Sequence, residues 1–310
     1  MKRIGLLYFL ACSMCAMAQQ RPSDEIPITQ KAVAVVKAEG YPDFLAVDSD
    51  GVWVTNEERV EKFIFGNDRP VMSVSVPAPC GAMATGFGSL WVASFSKKSV
   101  YRIDLLSGEI TAIIETGLAD EQGELSIAVG ARSVWLLTNV KGELSRIDPY
   151  KNEVVRRIKV LPGSFAAAFG FNAIWITNTA SGSVQKIDPK EEKVIATIPV
   201  GKAPRFLATG AGAVWSLNQE DGSVSKIDPA TNKVISTLDV GATGSGGDIA
   251  TSDTKVYVRS KNTLLFVIDG ATDKVTARYG PPAGSGAVRV ENGRVWVTAH
   301  DINTIWILNE

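Results

Sequence analysis

Histidine occurs once in the 310 residues, at His300, and cysteine three times, with Cys12 and Cys15 both close to the start. One imidazole excludes a site in which two histidines share acid and base work or hold a metal together. With the first residues removed only Cys80 remains, so no internal disulfide can brace the fold, and closure has to come from strand pairing and packing. A nucleophilic Cys80 would need a basic partner; none is adjacent in sequence, and the residue reads as small and buried. Charge of one sign is also missing: 32 basic residues stand against 33 acidic ones, and 30 against 33 without Lys2 and Arg3. That balance gives no electrostatic case for nucleic acid. Long apolar runs are absent too. The stretch Ile4–Ala11 is too short to cross a bilayer as a helix, and no transmembrane segment is expected.

The short apolar stretch has a different meaning. Lys2 and Arg3 precede it, and Ala16-Met17-Ala18 offers a small-x-small cleavage site before Gln19. Residues 1–18 therefore read as a secretory signal, and the mature protein is expected to be exported, periplasmic or extracellular. Cys12 after Phe9-Leu10-Ala11 leaves a lipoprotein reading open. Residues 19–30 are polar and contain proline, and read as a flexible leader before a single domain over 31–310.

What the sequence does contain is a repeat. Trp53, Trp91, Trp135, Trp175, Trp215, Tyr257 and Trp296 each sit in a short apolar run, at spacings of 38, 44, 40, 40, 42 and 39 residues. Alternation of Val, Ile and Trp with small or polar residues is strand patterning. Each run follows another apolar stretch across a turn and precedes Val-x-x-Ile-Asp and Val-Ile-x-x-Ile segments. About four strands per unit of 40 residues is the signature of a β-propeller blade. Asp104, Asp148, Asp188, Asp228 and Asp269 close the third strand of their units, three of them before proline. Asp followed by Pro builds a turn, so these carboxylates read as turn residues rather than as a calcium array. The last unit has only three strands, while Lys31–Val36 is an apolar strand with no unit of its own. The fold class is therefore all-β: a seven-bladed β-propeller of four-stranded blades whose N-terminal strand closes the last blade and removes an open edge. A monomer is expected.

Trp175-Ile176-Thr177-Asn178 and Val52-Trp53-Val54-Thr55-Asn56 resemble the repeat named for its Tyr-Val-Thr-Asn core (YVTN), as does the tail Ser183–Pro189 with Lys193–Gly201. Lead-ins such as Gly201-Lys202-Ala203-Pro204-Arg205-Phe206-Leu207-Ala208 are similar to those of the streptogramin B (virginiamycin B) lyase family. The resemblance covers roughly residues 31–310 and concerns strands and turns. It implies a propeller with its chemistry on one face, where the lyases use histidines, a glutamate and magnesium for elimination. His300 alone cannot supply that pair, so streptogramin cleavage is not expected. The tryptophan-docking repeat of quinone-cofactor dehydrogenases is not apparent.

In a propeller the loops joining strand four to strand one, and strand two to strand three, open on one face around the central channel. The first set brings Asp43, Cys80, Glu124, Ser164, Arg205 and Asp248; the second brings Asn56, Glu57, Asn139, Asn178, Asn218, Glu220, Arg259 and His300. Positions that vary between blades are the informative ones, because the recurrent ones build the blade. Ligand-binding candidates are thus Asp43, Glu57, Glu124, Asn178, Arg205, Asn218, Asp248, Arg259 and His300. Arg205 could grip a carboxylate or phosphate, or pair with Asp248 or Glu124. His300 could act as a base or metal ligand, or be a surface residue. The asparagines bond to turn backbone first. The loop 241–247 reads as a longer, more flexible rim or a plain linker. Two functions compete. One is a non-catalytic exported propeller binding a partner protein, peptide or small ligand at the channel mouth. The other is a lyase or hydrolase, for which a divalent metal would be the cofactor, built on Asp43, Glu57, Glu124, Arg205, Asp248 and His300.

Overall fold

The computed structural model describes residues 25–79, 81–118, 125–138 and 141–310; residues 1–18, expected to be a signal, and Cys80, Glu124 and Asn139 lie outside them. Seven antiparallel sheets follow one another around a ring. The first blade runs Pro42–Val47, Gly51–Asn56, Arg59–Ile64 and Met72–Ser75; the fifth, with the most regular spacing, runs Pro204–Gly210, Ala213–Asn218, Ser223–Asp228 and Lys233–Asp239. The seventh is built from Val288–Glu291, Arg294–Ala299, Thr304–Asn309 and the N-terminal strand Ala32–Lys37, which pairs antiparallel with Thr304–Leu308. Closure by the chain's first long strand is thus as expected. It removes the edge that a three-stranded last blade would leave.

The periodic aromatics are core. Trp53, Trp91, Trp135, Trp175 and Trp215 are fully buried. A buried indole N–H requires an acceptor. In four blades that acceptor is the carbonyl of the glycine ending the first strand (Gly86, Gly130, Gly170, Gly210), each at 3.0 Å, while Trp53 donates to Asp48. The residue opposite the tryptophan on the third strand is a cation lying over the ring: Lys62, Arg102, Arg146, Lys186 or Lys226. Four of these cations also reach across the seam to the next blade. Arg102 donates to Pro149 O and Asn152 Oδ1, Arg146 to Glu192, Lys186 to Pro229 O and Asn232 Oδ1, and Lys226 to Gly270 O and Asp273 Oδ1. One side chain thereby satisfies a π face, a carbonyl and a neighbouring blade. Lys62 stays in its own blade, on Asp48 and Asp50.

The turn aspartates behave as turn residues. Asp188 Oδ1 accepts the backbone N–H groups of Lys190 and Glu191 at 2.8 and 3.0 Å, and Asp104, Asp148 and Asp269 repeat the pattern. These bonds hold their carboxyl groups below the usual carboxylate range. Six of the seven outer strands carry a register shift against the third strand, as at Lys186/Ile187 and Lys226/Ile227. A bulge at that place twists the free edge away from flat pairing with another molecule.

One stretch departs from the sequence reading. Residues 25–30 were expected to belong to a flexible leader, yet Ile26–Pro27 adds a fifth, parallel strand to the sixth blade, opposite Tyr279 and Gly280. Ile28, in the short turn that follows, is 1% exposed. Burial of Ile28 and the strand pairing of Ile26–Pro27 together offset the cost of ordering this short segment.

Candidate functional site

The face expected to matter carries a cleft of about 210 Å³ where the seventh, first and second blades meet. Its lining includes Tyr41, Asp43, Asn56, Glu57, Pro79 and His300. Gly40 makes it possible: its φ of 91° turns the chain into the cleft, and a side chain there would collide with the Asn56 amide. Asn56 accepts from Tyr41 N at 2.6 Å and donates to Glu39 O at 2.5 Å and to Glu61 at 2.7 Å. Tyr41 is thereby fixed at the rim, 56% exposed, with its ring edge-on to His300 at 5.4 Å between centroids. Asp43 is anchored through its carbonyl, which accepts from Thr298 of the seventh blade at 2.8 Å. His300 begins a short 3-10 turn, His300–Ile302, directly after the second strand of that blade, and its N–H donates to Ser285 O. Its Nδ1 is buried with no hydrogen-bond partner.

Electrostatically the cleft centres on Asp43. Burial pushes this carboxyl above its ordinary value; His300 and Arg259 act against that and Asp248 adds to it. The bonds described around it reach only its main chain. Such a desolvated carboxylate is what a binding or catalytic site presents and what a purely structural one avoids. Glu57, at the rim, pairs with Arg59 at 3.1 Å.

Behind the cleft stands a second layer. Arg259 is fully buried and donates through Nε to Thr298 O at 3.0 Å, through one terminal nitrogen to Gly284 O at 2.5 Å, and through the other to Ser260 O. Burial lowers its guanidinium to about 10, against the pull of Asp301, Asp43 and Asp248. Asp248 accepts the N–H groups of Ile249 and Val288 and pairs with Arg289. Burial nevertheless raises its carboxyl, with Arg289 as the main opposing influence.

Four of the residues singled out in the sequence are therefore neighbours: Asp43, Asp248, Arg259 and His300. Glu57 joins the cleft. Arg205 does not. Its guanidinium lies over the Phe165 ring, 4.7 Å from the centroid, and the partner of Asp248 is Arg289, not Arg205. Arg205 stacks on an aromatic face of the preceding blade rather than reaching the carboxylate of the following one. Asn178 and Asn218 are buried and internally spent. Asn178 donates to Leu161 O and Pro162 O and accepts from Ser181 N; Asn218 donates to Ser223 and Ser225. The loop 241–247 is tied to Gly222 O and Gln219 O through Ala242 and Gly244, with Asn262 closing on Gly241 O. Tyr41 and Arg289 were missed by sequence reasoning. Tyr41 had a legible signal, an aromatic two positions before the loop aspartate, whereas nothing marks Arg289 among the charges of a seventh-blade strand.

Among the described residues no group of three or more His, Cys, Asp or Glu side chains is arranged to hold a metal ion, so this donor set does not fit a metal site. Nor is any helix of the described residues long and apolar enough to cross a membrane. The central channel is a separate space of about 250 Å³, walled by Ala128, Ala168, Ala208 and Ala250 with Arg289 at its side.

Residues 220–310 match the family model of the outer membrane protein assembly factor BamB. No curated protein matches the chain. Among solved structures, a streptogramin B lyase matches with a TM-score of 0.74 at 15% identity, over 88% of this chain and 94% of that one. BamB from Moraxella catarrhalis matches with a TM-score of 0.63 at 14% identity, over 88% of this chain and 84% of that one. At these identities the likeness concerns the fold, which serves many functions. In fold, the chain is a streptogramin lyase-like seven-bladed β-propeller.

Proposed function

We propose that the protein is an exported propeller that binds a partner protein, peptide or small ligand in the cleft formed by Tyr41, Asp43, Asn56, Glu57 and His300. The observation that carries this reading is the combination at one place of an exposed, positioned aromatic and a desolvated carboxylate on a rigid scaffold. Tyrosine supplies contact area at small entropic cost, and a partly desolvated carboxylate gains from a donor brought by the ligand. The blades fix both without needing to move. The family matched by the C-terminal third is named for outer membrane protein assembly, work done on protein partners, and the signal-like start agrees with export. Photo-crosslinking in the native host tests the reading. A benzophenone side chain at position 41 is expected to give a discrete adduct, and one at exposed Tyr150, on the opposite face, none. Adducts at 150 and not at 41 would place the site on the wrong face.

One observation favours a second reading. His300 and Asp43 line the same cleft, an imidazole beside a carboxyl, the residue types that general acid–base work uses, though no hydrogen bond joins their side chains. A metal-assisted lyase or hydrolase would require more donors than the described residues bring together. Streptogramin B incubated with the protein and magnesium is therefore expected to stay cyclic by mass spectrometry. A linear product would restore the lyase reading.

A further inference from the structure

Each seam from the second blade to the sixth is bridged by the same device, a cation on the third strand donating to the following blade's outer hairpin. At the other three seams the device is missing: Lys62 stays within the first blade, Ile307 stands opposite Trp296 in the seventh, and the sixth blade has no cation at the position. The residue opposite Tyr257 is Val267, where Lys226 stands opposite Trp215 one blade earlier. Valine offers no donor, and the tyrosine that replaces tryptophan leaves its hydroxyl buried with no well-formed hydrogen bond. The seam between the sixth and seventh blades also carries a loop that lies against the cleft. The sixth blade's outer strand ends at Gly280 and leads into the 281–286 loop, whose Gly284 O accepts from Arg259 and whose Ser285 O accepts from His300 N.

The N-terminal segment lies at that seam. Ile26–Pro27 pairs in parallel with Tyr279–Gly280, at the end of the strand from which the loop departs. Ile28 enters an apolar cluster drawn from both blades, with Leu264 and Leu265 of the sixth and Val288, Val297 and Trp306 of the seventh. The approach is close: the Glu25 side chain lies over Gly280, where a β-carbon would have to displace its carboxylate. We infer that residues 25–30 are a strap that replaces the missing cation latch, closes the seam between the sixth and seventh blades, and holds the 281–286 loop against Arg259 and His300. Ile28 is then a positioning residue for the cleft without touching it. The strap requires nothing of the ligand's identity.

Hydrogen exchange of the full mature chain, read by mass spectrometry, tests this with Ile28→Ala and the milder Ile28→Val. With Ile28→Ala, amides in 274–287 are expected to exchange at least tenfold faster, while those of 193–200, at the latched seam between the fourth and fifth blades, keep their rate. Ile28→Val should fall between. His300 gives the chain's only imidazole resonance, and its NMR position should move with Ile28→Ala although the two residues are not in contact. Unchanged exchange over 274–287, or equal acceleration at both seams, would overturn the strap. An unmoved imidazole resonance with faster local exchange would overturn its hold on the cleft.

Discussion

Replacing Arg259 by methionine separates a buried organiser from a surface charge. The guanidinium is fully buried, donates to the carbonyls of Thr298, Ser260 and Gly284, and acts with His300 against the burial of Asp43. Methionine keeps much of the volume and removes every donor. Each carbonyl left dry costs about 1–3 kcal/mol, and breaking a buried charge arrangement from one side costs about 3–5 kcal/mol in all. Some of the three acceptors will find water at the cleft, so a total of roughly 3–5 kcal/mol is expected rather than the sum of separate penalties. At about 2–3 °C per kcal/mol for a domain of this size, calorimetry should show a loss of roughly 6–15 °C in Tm. Arg205→Met is the control. Its guanidinium rests on Phe165 with its edge toward solvent, and a cation–π contact of that kind is worth about 1 kcal/mol or less. A shift of under about 2 °C for Arg259→Met, or equal shifts for the two variants, would refute the reasoning. Arg259→Lys should not rescue, because one ammonium cannot span three carbonyls on different segments.

Two further outcomes concern pH. Asp43 is raised above 3.8 by burial, so its charged form costs stability at neutral pH, and that cost fades as pH falls through the raised value. Asp43→Asn should therefore raise Tm at pH 7, with the gain gone near pH 3.5; marked destabilisation at pH 7 would show the carboxylate to be structural. The turn aspartates have the opposite sign. Asp188 is lowered below 3.8 by the N–H groups of Glu191 and Lys190, so its contribution is present above 3.8 and lost as pH falls through the folded value. Asp188→Ala should lower Tm at pH 7 and converge with the parent protein as pH falls below the lowered folded value, while leaving crosslinking at position 41 intact. A difference that stays constant from pH 7 down through the acid range where the parent protein loses this contribution would dismiss the turn carboxylate as its cause.

The sequence by itself determined the ring. Seven aromatics at near-constant spacing, the Asp-Pro turns and an unattached first strand set the number of blades, their order and their closure, because pairing within a blade is local and a period of two places every side chain inside or outside. It also determined what could not be present, since one histidine cannot make a two-histidine site. Which charges meet was decided by tertiary structure. Arg205 and Asp248 were natural partners on a list of loop residues, but ring geometry sets Arg205 on Phe165 and gives Asp248 to Arg289, 41 positions along the chain. Ile28 shows the same limit. Nothing in a polar leader marks one isoleucine as core, and only the junction of the sixth and seventh blades, where the cation latch is missing, supplies the apolar space that buries it. Local pattern is written in consecutive residues; the seams of a closed ring join residues whose separation no periodicity encodes.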